Sequence, residues 1–183
     1  AAGTYTVSMN FGQRAFDYTP PTGFKALNTA NLPVPTVKDG TEYFNTVLYT
    51  GTGSSNAITG VGFQPDWVWI KKRSASENHE LQDAVRGATK RLASNSTAAE
   101  STVSGSISSF DSDGFTVVDA GTTNENTSTY VAWNWKAGGS GSANTDGTIS
   151  STVSVNADAG FSIVSWAAEA SAGTVGHGLG VAP

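Results

Sequence analysis

Four tryptophans fall in two pairs at strand spacing, Trp67-Val68-Trp69 and Trp133-Asn134-Trp135. Indole faces stack on the apolar faces of sugars, so four rings on one sheet could form a carbohydrate platform. Alternate positions on long apolar strands are more often core. The spacing therefore predicts that Trp67, Trp69, Trp133 and Trp135 lie between two packed layers. The platform is the reading to adopt if a pair is exposed on a concave sheet. A second cluster is basic: Lys71, Lys72, Arg73, Arg86, Lys90 and Arg91 hold six of the ten basic residues. Such a patch could hold an anionic glycan or a lipopolysaccharide phosphate. Glu77, Glu80 and Asp83 lie among them and predict instead a solvated face of ion pairs. Arg86, beside Gly87, is the expected structural member, because a guanidinium can bind several turn carbonyls at once.

Other constellations are weaker. Asp111-Ser112-Asp113-Gly114 could be half of a calcium loop, but calcium takes six to eight oxygens and no distal Glu follows; a hairpin turn capped by Asp side chains is expected. His79 and His177 have no ligand partners at metal spacing, so no metal site is expected. His177 falls in a Gly-His-Gly turn. A nucleophile elbow, a P-loop and a dinucleotide fingerprint are all missing from the sequence. A glycosidase needs two facing carboxylates, and the spacing of Glu77, Glu80 and Asp83 scatters them over both faces of a strand. No catalytic residue and no cofactor is expected, and the chain reads as a non-enzyme. Asn95-Ser96-Thr97 and Asn126-Thr127-Ser128 match glycosylation sequons of the kind a Ser/Thr-rich chain carries by chance.

The elements that must position these residues read as strands. Phe44–Thr50 alternates and is closed by Gly51-Thr52-Gly53. Trp67–Lys72 has bulky groups on both faces and is expected to be a central strand buried on both sides. Ser108–Asp119 reads as a hairpin around Asp113-Gly114, and Thr129–Lys136 as a further strand. Residues 79–92 fit a helical stripe or an alternating strand; the surrounding β content and Gly87 favour two short strands, or one strand and a helical turn. Thr4–Phe11 is strand-like, and Asn31–Pro35 an extended linker. Gly138–Ser142 reads as a flexible linker.

After that linker the pattern restarts. Residues 44–49 match Phe161–Trp166 at an offset of 117, and residues 60–65 match residues 178–183 at an offset of 118. So long a period suits tandem modules rather than a solenoid. The second copy ends before the counterpart of the Trp67 strand.

Composition agrees with an all-β chain. Its 183 residues carry 14% charged side chains, and about a quarter are Ser or Thr. Eighteen aromatic residues can anchor a core. A net charge of −5 argues against nucleic acid, which needs a basic surface. No apolar run reaches the roughly 20 residues of a membrane-spanning helix. The absence of cysteine excludes disulfides and leaves the redox compartment open.

Two stretches resemble known families. Asn10–Phe16 with Thr19–Pro33 resembles the C-terminal end of SPRY-like β-sandwiches of bacteriophage virion proteins. Residues 44–139 are similar to a domain that recurs in tail-fibre and other structural proteins of bacteriophages. The blocks that carry this likeness are Gly62–Lys71, Asp83–Lys90, Ser109–Phe115 and Tyr130–Gly139. It implies a concanavalin-A-like jelly-roll β-sandwich, a virion or extracellular location and no catalytic residues. It also implies a homo-oligomer, a trimer in similar appendages, contacting other virion proteins. The expected organisation is residues 1–36 as the end of one sandwich, 37–139 as the jelly roll, and 140–183 as a linker and truncated second module. The expected work is structural and adhesive, with contact to a host surface glycan. The alternatives are a carbohydrate-binding module of a secreted or cell-surface bacterial protein and, behind it, a polysaccharide hydrolase.

Overall fold

The computed structural model describes residues 3–4, 6–10, 14–25, 31–118, 121–168 and 171–181. The chain forms two units, residues 1–38 and residues 39–183.

In the first unit the described residues form no strand. The expected strand Thr4–Phe11 is corrected over residues 4 and 6–10; Tyr5 and Phe11 lie outside the described residues, as do residues 26–30 of the SPRY-like stretch. Alternation alone does not make a strand, because the backbone groups need a ladder partner. Val7 and Met9 remain open to solvent. The Pro20–Gly23 break is a tight turn, with Phe24 N–H bonded to Pro21 C=O at 3.0 Å and Gly23 at φ +87°.

The second unit is an all-β sandwich. Its strands are β1 (Phe44–Thr50), β2 (Asn56–Ile58), β3 (Trp67–Lys72), β4 (Glu80–Asp83), β5 (Lys90–Ala93) and β6 (Ser101–Thr102). They continue as β7 (Ile107–Asp111), β8 (Gly114–Val117), β9 (Thr129–Trp135), β10 (Ser142–Asn144), β11 (Ser151–Asn156) and β12 (Phe161–Trp166). One helical turn, α1 (Gly121–Asn124), joins β8 to β9. Among the described residues the strands make three sheets: β1-β9-β3-β4-β5-β6, β2-β8-β7 and β10-β11-β12. The two strongest sequence strands, β3 and β9, pair at the middle of the first sheet.

The core lies between the first two sheets. Val68 and Ile70 of β3 and Tyr130 and Ala132 of β9 meet Ile58, Ile107, Phe115 and Val117 from the three-stranded layer. Each large side chain buried this way contributes about 1.5–3 kcal/mol. The tryptophans are absent from this core: Trp67, Trp69, Trp133 and Trp135 point to the opposite face and are half-buried. This corrects the expectation that they lie between the layers. Period-2 alternation fixed the two residue sets but not which set faces inward. The set with Val, Ile and Ala leaves room for Phe115 and Ile107 within a spacing of about 10 Å; four adjacent indoles would not.

The ambiguous stretch resolves into β4 and β5 joined by turns through Gly87. The expected hairpin is β7–β8, closed through Ser112-Asp113. Gly114 is required there, since a Cβ would stand 2.0 Å from Ile58 C=O. The expected flexible linker at 138–142 is instead pinned. Gly138 N–H bonds Ser154 Oγ at 2.9 Å, and Gly139 N–H bonds Asp66 Oδ2 at 3.1 Å. Polar composition there serves close approach rather than freedom. Residues 140–183 carry their own small sheet yet pack in the same compact unit as the sandwich.

Candidate functional site

The outer face of the six-stranded sheet is built by register. Trp135 stands opposite both Phe44 and Trp67, and Trp133 opposite both Thr46 and Trp69. Trp69 in turn faces Leu81, which faces Leu92. Parity keeps these residues on one face. Four rings touch in sequence: Phe44 meets Trp135 at 4.9 Å in a tilted contact, Trp135 stacks on Trp67 at 4.5 Å, and Phe161 of β12 stacks on Trp67 at 5.9 Å. Trp69 and Trp133 meet edge to face at 5.6 Å, and Trp69 Nε1–H donates to His79 Nδ1 at 3.2 Å.

Where β12 leans over this face, a groove of about 430 Å³ remains. Trp67, Leu81 and Leu92 form its floor; Phe161, Ile163 and Trp166 form its wall, with Ser162 and Ser165 between them. Trp166 is 54% exposed. At one end Arg86 Nε donates to Asp83 Oδ2 at 2.6 Å and Arg86 Nη1 to Glu100 at 3.1 Å. Aromatic walls with a few hydroxyls and one charged end suit a neutral ligand that has both an apolar face and hydroxyl groups.

The basic residues do not converge, which corrects the candidate patch of Lys71, Lys72, Arg73, Lys90 and Arg91. Lys72 turns to the inner face, where its stem is buried while its ammonium reaches Glu125 at the surface. That carboxylate also accepts from Ser128 Oγ at 2.7 Å. The ammonium, then Ser128, hold Glu125 below its usual carboxylate range. Lys71 lies on the opposite face and donates to Lys72 C=O at 2.6 Å. Arg73 is exposed beyond the strand. Lys90 donates to Thr102 Oγ1 at 2.8 Å, and Arg91 pairs with Glu80 at 3.2 Å. Burial pushes the Glu80 carboxyl up, and Arg91 opposes that shift. Strand alternation is what splits Lys71 from Lys72.

Glu80 and Asp83, two of the three carboxylates expected to scatter over both faces of a strand, sit on opposite faces of β4, each held by an arginine. Asp113 caps another loop: its carboxylate accepts from Gly60 N–H at 3.0 Å and Gly62 N–H at 2.6 Å, and these bonds lower its pKa. Asp111 accepts from Ser109 and Thr116 hydroxyls. Among the described residues no three His, Asp or Glu side chains converge as metal ligands. His177 Nδ1 accepts from Leu179 N–H at 3.2 Å within a turn.

Sequence reasoning missed the β12 half of the groove. The signal was present in the repeat, which aligns Phe161 with Phe44 and Trp166 with Tyr49. It also missed Asn124 in α1, which is fully buried. Its amide nitrogen donates to Ser54 and Val118 carbonyls, and its oxygen accepts from Thr52 N–H at 3.0 Å.

Fold and groove together define an all-β sandwich module with an aromatic face half covered by a repeated strand. Residues 39–183 match the model of a family described as a domain of unknown function, DUF7483, and the chain belongs to that family. No curated protein and no solved structure matches the chain.

Proposed function

We propose that this chain is a structural and adhesive module of a bacteriophage virion appendage, a tail fibre or similar. In this reading the sandwich is a concanavalin-A-like jelly roll, works outside the cell as part of an oligomer, and touches a host surface glycan. The observation that carries it is the groove walled by Trp67, Phe161 and Trp166 with Ser162 and Ser165 beside them. Indole faces stack on pyranose C–H faces, and hydroxyls bond sugar hydroxyls directly or through water. A surface rich in Ser, Thr and Gly, with few charges, suits wet and weakly charged contacts. The tandem restart of the β pattern suits a repetitive appendage, and the likeness of four sequence blocks to phage structural proteins supplies the virion setting.

The test is a glycan array of bacterial surface oligosaccharides, followed by titration of any hit by tryptophan fluorescence. Saturable binding is expected, weakened about tenfold or more by Trp166→Ala. Trp166 is exposed, so thermal stability should be unchanged. A blank array at high protein concentration would remove the adhesive half of the reading.

A further inference from the structure

The floor of the groove belongs to a longer row of side chains. Read across the sheet by register, Leu92, Leu81, Trp69, Trp133 and Thr46 stand side by side on five strands. At about 4.8 Å per strand the row is about 19 Å long, enough for several sugar rings. None of the five residues is buried. The neighbouring row, Phe44, Trp135, Trp67 and Asp83, lies about 7 Å along the strands. That row is the one β12 covers: Phe161 stacks on Trp67 at 5.9 Å and on Trp135 at 6.4 Å. β12 therefore stands as a wall beside the open row. The groove takes in only the Leu92–Leu81 end of the row, and Trp69 and Trp133 continue it past the groove.

The groups that flank the open row suit hydroxyls. Trp69 Nε1–H is spent on His79 Nδ1 at 3.2 Å. Because that nitrogen accepts, the neutral His79 ring carries its proton on Nε2 and offers it as a donor. Lys71, on the same face of β3, turns its ammonium onto the carbonyls of Lys72 and Ala75 at 2.6 and 3.4 Å. Ser162 and Ser165 stand on the wall side, and Thr46 ends the row on β1. An apolar lane with neutral polar groups on both sides matches a polymer of rings edged with hydroxyls. It matches a protein partner poorly. A stable protein interface covers about 800 Å² on each side, and the β12 wall keeps a flat surface from reaching Trp69 and Leu81 together.

We propose that the open row continues the glycan seat, so that the site takes an internal run of a linear polysaccharide lying across the strands beside β12, not a single terminal sugar. This rests on the glycan reading of the groove. It adds the length of the ligand and Trp133 as a contact residue outside the groove.

The experiment uses the bacterial surface polysaccharide that binds best on the array, cut to single sugars, short fragments and long fragments. Each size is titrated into the full chain and followed by tryptophan emission. Wild-type apparent affinity should climb about tenfold or more from short to long fragments. Trp133→Ala should cost the long fragments most of that climb and the short ones much less, whereas Trp166→Ala should weaken both. If Trp133→Ala lowers thermal stability, Trp133→Leu keeps apolar packing on the strand and should lose the same climb. Short fragments that bind as tightly as long ones would overturn the proposal and leave the groove reading standing. So would a climb that survives loss of the Trp133 ring. No saturable binding at any length would overturn both. An emission change that follows protein concentration and not oligosaccharide would make the row a protein seat, and would overturn the proposal as well.

Discussion

Single side chains hold the loops of this sandwich together, and their effects are separable. Asn124 ties α1 to the stretch 52–56 and to Val118, just after β8, with four polar contacts. Asn124→Ala takes the partner from the Ser54 and Val118 carbonyls and from Thr52 N–H at a part-buried site, and is expected to cost about 1–3 kcal/mol in urea denaturation. Asp113 acts through charge. Its folded pKa lies below the unfolded value of about 3.9, so its contribution is full above that pH. It is lost as pH falls through the depressed folded value. Asp113→Asn should therefore lower the melting temperature at neutral pH and flatten its fall below about pH 4; a melting curve with an unchanged acid limb would place the loop's anchor elsewhere. Glu80 has the opposite sign: burial raises its pKa, so its stabilising contribution is present at acid pH and falls as pH rises through the raised value.

At the scale of elements, close approach and face choice decide more than propensity. Gly114→Ala would drive a Cβ into Ile58 C=O and part β2 from β8. A loss of at least about 2 kcal/mol is expected, read as a drop in the denaturant midpoint. Phe161→Ala should act differently. It removes the ring seated on Trp67 while leaving the core between the six-stranded sheet and the β2-β8-β7 sheet untouched. Hydrogen exchange should then speed in β10–β12 and stay slow in β3 and β9; uniform acceleration would mean that the small sheet is part of the global folding unit. The strands themselves were legible, because period-2 patterns over β1, β3, β9 and β12 are dense and the Asp-Gly turn has one natural reading. Facing was not legible for β3 and β9. Both of their faces are apolar, and choosing between them needs the volume of Phe115 and Ile107 from a strand pair distant in sequence. The linker reading failed for a related reason: glycine and serine spacing looks alike whether the chain is loose or pressed against Val155 and Ser154.

For the whole molecule, one sheet does two jobs. Its inner face makes the sandwich, and its outer face, too aromatic to be left bare, takes a strand of the repeat and keeps a groove beside it. That division explains why tryptophan, the costliest residue to leave in water, appears at alternating positions on the two central strands yet outside the core. The most direct measurement is a titration of the intact protein with bacterial surface oligosaccharide, following tryptophan emission, for wild type and for Trp166→Ala. The expected result is a saturable change in the wild type, reduced about tenfold in apparent affinity in the variant at equal melting temperature. No saturable change in the wild type, or equal binding by both proteins, would contradict a glycan seat in the groove.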